Sequence, residues 1–290
     1  MKKTTRILAA SMALAMLPAL AACGSKDSDE TEGTEVQEIS GNVDADDTED
    51  TESPEASFML PAVNVGDTIV FGSYEQDNDS SNGAEDLEWI VLADENGKAL
   101  LLSKYIIDCQ VFDADDGSST WEDSDMRAWL NGDFYESAFD EEDMPSICQT
   151  ELTTKVPGVS DYITTTDKVF LLSGEDLGTY FEFDYWDETY HLGECAPALI
   201  TSATEYALAN GCYNTVLNGR SAAETVAAHP ELDGQMSEMW WVRETGSIVG
   251  LTGDTIGNVN WQPGESLIPL SRRANVAMGV RPAIWVAVED

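Results

Sequence analysis

Histidine is almost missing from this chain: His191 and His229 are the two in 290 residues. A zinc site built mainly from imidazoles is thereby excluded. Basic residues are scarce too, 14 Lys and Arg against 55 Asp and Glu, for a formal net charge of -41. Such a surface cannot neutralise phosphates, which excludes nucleic acid as a partner and argues against direct docking on anionic lipid. No long apolar run occurs after Leu20, so no later segment reads as a membrane span, which needs roughly 20 apolar residues. Between Gly24 and Ser57 aromatic residues are absent and aliphatic ones nearly so.

What is present begins with an address. Lys2, Lys3 and Arg6 precede an apolar run from Ile7 to Leu20, interrupted by Ser11 and Pro18. A positive start, a short apolar core and small residues at its end describe a secretory signal over residues 1–22. Leu20-Ala21-Ala22-Cys23 resembles a bacterial lipobox. The resemblance implies cleavage before Cys23 and a diacylglycerol on its sulfur, so the expected location is the outer face of the cytoplasmic membrane, with the lipid as anchor. Residues 23–57 carry thirteen acids against one base, Lys26. This composition cannot bury enough apolar surface to offset its ordering entropy, and it reads as a disordered acidic tether. A flexible coil of that length spans roughly 30–35 Å, and self-repulsion extends it further.

Residues 58–290 read as one globular domain with forty-two acids, ten bases and most of the aromatic residues. Val65 to Tyr74, Leu87 to Leu92 and Ala99 to Ile107 predict three strands. Asn96-Gly97 supplies a hairpin turn between the last two, and the middle strand reads as buried on both faces. Helical signals follow. Ser124 is placed to cap a helix with Met126, Trp129 and Leu130 on one face, ended by Asn131-Gly132. A second short helix is expected around Phe134 to Phe139, and a helical turn over Glu141 to Ile147. Val169 to Leu172 reads as a short strand. Ser173 to Asp176 and Ser202 to Glu205 both read as capping boxes, with Asn210-Gly211 closing the second helix. Met239 to Arg243, Ser247 to Leu251, Asp254 to Trp261 and Val280 to Val288 read as strands. A β-meander, short central helices and closing strands make the class α+β.

Several of these segments match a known set in order: Phe71-Gly72-Ser73-Tyr74-Glu75-Gln76, Glu88 to Leu92, Leu101 to Lys104, Trp121 to Asn131, Asp167 to Ser173, Trp240 to Arg243 and Val280 to Trp285. Over Val65 to Val288 the chain resembles a domain-of-unknown-function family common in exported proteins of Gram-positive bacteria. That family brings no established activity. It usually follows its Trp-Trp-Leu-Arg strand with Ser-Pro-Gly, where this chain has Glu244-Thr245-Gly246. Gly279-Val280-Arg281-Pro282 also resembles the last strand of C-type-lectin-like and formylglycine-generating-enzyme-like domains. That distant likeness implies paired terminal strands and long loops that carry any site. Fold analogy alone licenses no function.

Candidate sites are few. Asp77, Asp79, Ser81 and Glu88 fall at positions 1, 3, 5 and 12 of a calcium-loop register, but Gly83 occupies position 7 where the EF-hand rule needs it at 6. Asp113, Asp115 and Asp116 form a second oxygen-rich turn. In so acidic a chain the solvated turn is the stronger reading of both. Gln262-Pro263-Gly264-Glu265 only faintly matches a lectin calcium-and-sugar loop, because no carboxylate or amide follows the proline. Cys109, Cys148, Cys195 and Cys212 follow Cys23, and an exported location permits disulfides. Cys195 and Cys212, nearest in sequence, are one candidate pair; buried free thiols are the alternative. No local signature makes Cys195 a nucleophile paired with either histidine. Trp121, Trp129, Trp240, Trp241, Trp261 and Trp285 could include a sugar-stacking platform, with core packing expected for most of them; Trp261, in its Gly- and Asn-rich stretch, is the foremost candidate for an exposed face.

Arg127, Arg243 and Arg281 lie inside apolar and aromatic motifs. A guanidinium there needs partners, so these three are expected to be structural clamps. The leading functional reading is a non-catalytic, cell-surface binding or interaction domain for a glycan or protein ligand. An extracellular enzyme acting on wall or extracellular polymers and a wall-proximal structural protein are the rivals. A cleft of convergent titratable groups would separate enzyme from binder.

Overall fold

In the computed structural model residues 59–115, 119–156, 160–181, 197–216, 223–245, 247–249, 270–271 and 273–289 are described. Three strands open the domain as an antiparallel meander: β1 (Thr68–Tyr74), β2 (Glu85–Glu95) and β3 (Lys98–Ser103). Asn96 and Gly97 both hold positive φ, 55° and 73°, which suits a tight hairpin turn. Along β2 the side chains of Leu87, Trp89, Val91 and Ala93 are buried, whereas Glu88, Ile90 and Leu92 are half-buried. The strand therefore has one core face and one partly covered face, which corrects the expectation of two buried faces. A bulge interrupts β1 between Val70 and Ser73. Gly72 sits there at φ +70°, and a Cβ on it would lie 2.5 Å from the Ala138 carbonyl oxygen. Only glycine satisfies both demands.

The chain leaves this sheet earlier than expected, since β3 ends at Ser103 and β4 (Asp108–Gln110) joins a different sheet. Helix α1 (Asp125–Trp129) starts as anticipated, with the Ser124 hydroxyl accepting from the Arg127 N–H at 3.1 Å. Asn131-Gly132 does not end the helical segment. The chain continues through a π turn, Leu130–Phe134, directly into α2 (Tyr135–Ala138). The Asn131 side chain is occupied elsewhere: its Oδ1 accepts from the Lys168 N–H at 2.8 Å and its Nδ2 donates to the Val169 carbonyl at 2.8 Å. The side-chain amide thus docks the widened turn on the Lys168-Val169 backbone, and Phe134 and Phe139 pack beside Trp89, Phe71 and Tyr74.

A 3₁₀ turn follows over Met144–Ser146, and then a hairpin, β5 (Thr150–Lys155) with β6 (Tyr162–Asp167), that the sequence reading did not contain. Strand β7 (Val169–Phe170) precedes α3 (Gly174–Phe181). The capping box forms there: Ser173 Oγ accepts from the Asp176 N–H at 3.0 Å, and Asp176 accepts from the Ser173 N–H at 2.7 Å. The second expected box does not form. Ala203 pairs with Ile106 in an extended bridge, so the cap of α4 (Glu205–Ala209) is Thr204, whose hydroxyl accepts from the Ala207 N–H. The remaining elements are β8 (Thr215–Val216), α5 (Ala223–Ala228), β9 (Met236–Ser237), β10 (Trp240–Trp241), β11 (Ser247–Val249), β12 (Leu270–Ser271), β13 (Met278–Val280) and β14 (Ala283–Ala287). The strand expected over Asp254 to Trp261 lies outside the described residues.

One sheet has the order β1-β2-β3-β14-β7, the other β12-β11-β10-β13-β4; β5-β6 and β8-β9 are separate ribbons. The chain is α+β. Its terminal segments meet: the Leu60 N–H donates to Ala287 at 3.0 Å and the Glu289 N–H to Leu60 at 2.8 Å. The anticipated closing strand is two strands, β13 and β14, one in each sheet, divided at Arg281-Pro282. Proline supplies no N–H for a continuous ladder. Pro54–Asp290 forms one compact unit.

Candidate functional site

The three arginines sort scaffold from site. Arg127 donates from Nε to Asp167 at 2.6 Å, and Asp167 also accepts from Trp121 Nε1 at 2.9 Å and Thr165 Oγ1 at 2.7 Å. This joins α1 to the end of β6. Arg243 follows β10 and is 2% exposed. It donates to Thr154 Oγ1 at 2.8 Å, to the Leu171 carbonyl at 2.7 Å and to the Thr153 carbonyl at 3.2 Å, and lies 3.2 Å from Asp176. One side chain therefore ties β10, β5, the end of β7 and the start of α3. Arg281 is fully buried between the sheets' crossing strands and donates to the carbonyls of Ser103 (2.7 Å), Ala198 (2.6 Å) and Lys104 (3.4 Å). Its guanidinium lies 5.2 Å from the Trp240 ring centre. Among the described residues no carboxylate faces it, and burial lowers its pKa to about 9, which leaves it charged at neutral pH.

Glu244 directly follows Arg243 after β10. Both of its oxygens accept from the Gly174 N–H, at 3.0 and 2.9 Å, so the carboxyl sits on the first turn of α3. The side chain is fully buried, and desolvation raises its pKa to about 7 against the counter-effects of Arg243 and the Gly174 N–H. The folded chain thus holds this proton more tightly than the unfolded chain does. Its stabilising contribution is complete below the ordinary value of 4.5 and is lost as pH rises to about 7. The loss amounts to roughly 3 kcal/mol. Denaturant titrations of the parent and Glu244→Gln at pH 4.5 and 7.5 should show the variant gaining that amount relative to the parent. A gap between them that does not change with pH would contradict a proton held by burial.

The candidate calcium ligands are only partly brought together. Asp77, Asp79 and Ser81 share one turn, but Glu88 lies on β2 with Lys104 Nζ 3.1 Å away. Glu85 takes its place: carboxylate oxygens of Glu75, Asp77 and Glu85 gather within 4.8 Å. These groups already serve the loop. Glu85 accepts from the Gln76 N–H at 2.7 Å, Glu75 from the Asp79 N–H at 2.9 Å, and Asp79 from the Ser81 hydroxyl at 2.6 Å. In the second oxygen-rich turn Asp113 accepts from the Asp115 N–H at 2.7 Å, and Asp116 lies outside the described residues. So do Cys23, His191, Cys195, Trp261 and the Gln262 to Glu265 stretch. Cys212 is a free thiol in this structure, and His229 pairs with Glu231 at 3.3 Å.

Tryptophans 89, 121, 240 and 241 are fully buried, as core packing requires. Trp285 is only partly covered: on β14 it alternates with the buried Ile284 and Val286 and is half-buried, one part of it packed against the core. An open groove of about 310 Å³ runs past it, between the β2–β3 hairpin (Glu95, Asn96, Lys98) and the start of β5 (Gln149, Thr150, Glu151). The Cys148 N–H fixes this segment on the Trp285 carbonyl at 2.7 Å. A groove of about 380 Å³ exists along Leu60 to Val63 and Asp67 to Val70, but its lining is largely aliphatic. Among the described residues the Trp285 groove joins an indole to amides, a hydroxyl and carboxylates. Trp285 is among the tryptophans the sequence offers for sugar stacking, but Trp261 stands ahead of it there, because the groove wall that singles Trp285 out belongs to β5, whose Thr-rich stretch gives no strand signal.

Residues 96–288 match a domain of unknown function, DUF6273, and the chain belongs to that family. The match begins after β1 and β2, so the motifs Phe71 to Gln76 and Glu88 to Leu92 lie outside it. No curated protein and no solved structure matches the chain. No helix among the described residues is long and apolar enough to cross a membrane.

Proposed function

We propose that this is a lipid-anchored, cell-surface binding domain whose ligand is an extracellular glycan, received in the groove at Trp285. The observation that carries the reading is the chemistry of that groove: a half-buried indole that lines it beside Gln149, Asn96 and Thr150, flanked by Glu95 and Glu151. Aromatic faces suit the apolar side of a sugar ring, and amides and carboxylates suit its hydroxyls. The lipobox and acidic tether support display outside the membrane. The closing-strand likeness to lectin-like domains agrees with this reading and rests on Gly279 to Pro282 alone.

The rival enzyme reading also draws on this groove, because two carboxylates are the minimum equipment for glycoside hydrolysis. Glu95 and Glu151 are both exposed, without the apolar enclosure that sets a general acid apart from its partner. A glycan array probed with the domain, with and without calcium, tests the binding reading. Wild type should retain a defined set of glycans, and Trp285→Ala should lose them at least tenfold while remaining folded. Chelation separates a role for the Glu75, Asp77 and Glu85 cluster from a purely structural one. Identical arrays for wild type and Trp285→Ala would sink the assignment of the groove.

A further inference from the structure

Two of the free thiols, Cys109 and Cys212, belong together. Cys109 is central in β4, opposite Gly279 of β13, and 5% exposed; Cys212 follows α4 and is 8% exposed. The turn at Gly211, with φ +113°, sends the chain back toward β4, and a Cβ placed on Gly211 would lie 3.9 Å from Cys109 Sγ. Cys212 Sγ lies 3.8 Å from the carbonyl oxygen of Asp108, the residue next to Cys109 in β4. The backbone on both sides is pinned. Asn210 Nδ2 donates to Asp108 Oδ1 at 2.8 Å, and the Cys212 N–H donates to Ala207 at 3.1 Å. Cys148 is remote from this pair, with its thiol on the Ser146 carbonyl beside β14.

We propose that Cys109 and Cys212 form a disulfide, closed by thiol–disulfide exchange with a disulfide-bearing oxidant. One cysteine thiolate attacks a sulfur of the oxidant and expels a thiolate, giving a mixed disulfide. The second cysteine thiolate then attacks the protein sulfur of that bond and expels the other half of the oxidant. The protein loses two protons and two electrons, and the oxidant leaves as two thiols. Both sulfurs are enclosed, and the neighbouring Cys109 thiol, burial and the Asp108 and Glu238 carboxylates all disfavour a thiolate at Cys212. Exchange therefore belongs to folding, when the thiols are accessible, and the closed bond is afterwards shielded from small reductants. This pairing replaces Cys195–Cys212 as the reading of the cysteines and does not rest on the glycan assignment.

The full chain, extracted in detergent, reduced and unfolded in guanidinium, is refolded in a glutathione redox buffer, alkylated and mapped by non-reducing mass spectrometry. The expected result is one peptide pair joined through Cys109 and Cys212, with Cys148 and Cys195 alkylated. Reduction should lower the melting midpoint by roughly 5–15 °C, and Cys109→Ala should remove that sensitivity. The mapping uses the unaltered chain, so it stands even if the variant folds poorly. Alkylation of both Cys109 and Cys212 after oxidative refolding, or Cys212 found joined to Cys195, would overturn the pairing.

Discussion

Replacing Cys23 with alanine should move the whole protein from the membrane fraction to the soluble fraction and abolish incorporation of radiolabelled lipid. The size of this effect follows from how little else would hold the chain at a bilayer. From residue 58 onward the net charge is -32, which an anionic surface repels. Each buried methylene of an acyl chain contributes about 0.8 kcal/mol, and two chains suffice for stable anchoring where one gives only marginal binding. On the lipobox reading, losing the Cys23 sulfur therefore removes the anchor itself. Undiminished labelling or sedimentation of Cys23→Ala would refute the lipobox reading.

Alanine at Arg281 or Arg243 should each destabilise the fold by about 3–5 kcal/mol, the cost of removing one member of a buried polar network. For a domain of this size that is roughly 6–20 °C in melting midpoint. Arg281 sits where the chain crosses between the sheets twice, from β3 to β4 and from β13 to β14. The crossing segments are laced by Ile107 N–H to Val280 at 3.0 Å and Ser103 N–H to Pro282 at 2.9 Å. Truncation there would take a donor from the Ser103 and Ala198 carbonyls, the Lys104 carbonyl keeping the Thr201 hydroxyl, and leave a void beside Trp240. Lysine would keep the charge but not the planar fork, so Arg281→Lys should recover only part of the loss. At Arg243 the stranded partners are the Leu171 and Thr153 carbonyls, Thr154 and Asp176. Parent-like melting of both alanine variants would return these arginines to a ligand-binding role.

The arginines show how far a single sequence reaches. Their placement in apolar motifs already implied buried partners, because a solitary guanidinium in a core is too costly to keep. Which partners they find was not legible, since Arg281 uses carbonyls of segments that precede it by more than eighty residues. The meander and the caps at Ser124 and Ser173 were readable because period and capping chemistry are local. The β5–β6 hairpin was not. Its Thr-rich strands carry few apolar side chains, and their inward positions include Thr154, Thr165 and Asp167, whose burial is justified only by Arg243, Trp121 and Arg127. Asn131-Gly132 misled for the same reason: the stop signal was overridden by a side-chain amide used across the fold. The groove at Trp285 inherits this dependence, because one of its walls is the start of that hairpin.

The central claim is that this domain holds glycan at Trp285 without transforming it. Purified insoluble cell wall, incubated with wild type and with Trp285→Ala, allows retention and chemistry to be read together. Bound protein is measured in the pellet and reducing ends in the supernatant. Wild type should be retained, Trp285→Ala should stay in solution while still folded, and neither should release reducing ends above buffer. Equal retention of the two proteins would contradict the site, and reducing ends released by wild type but not by Glu151→Gln would make the domain an enzyme.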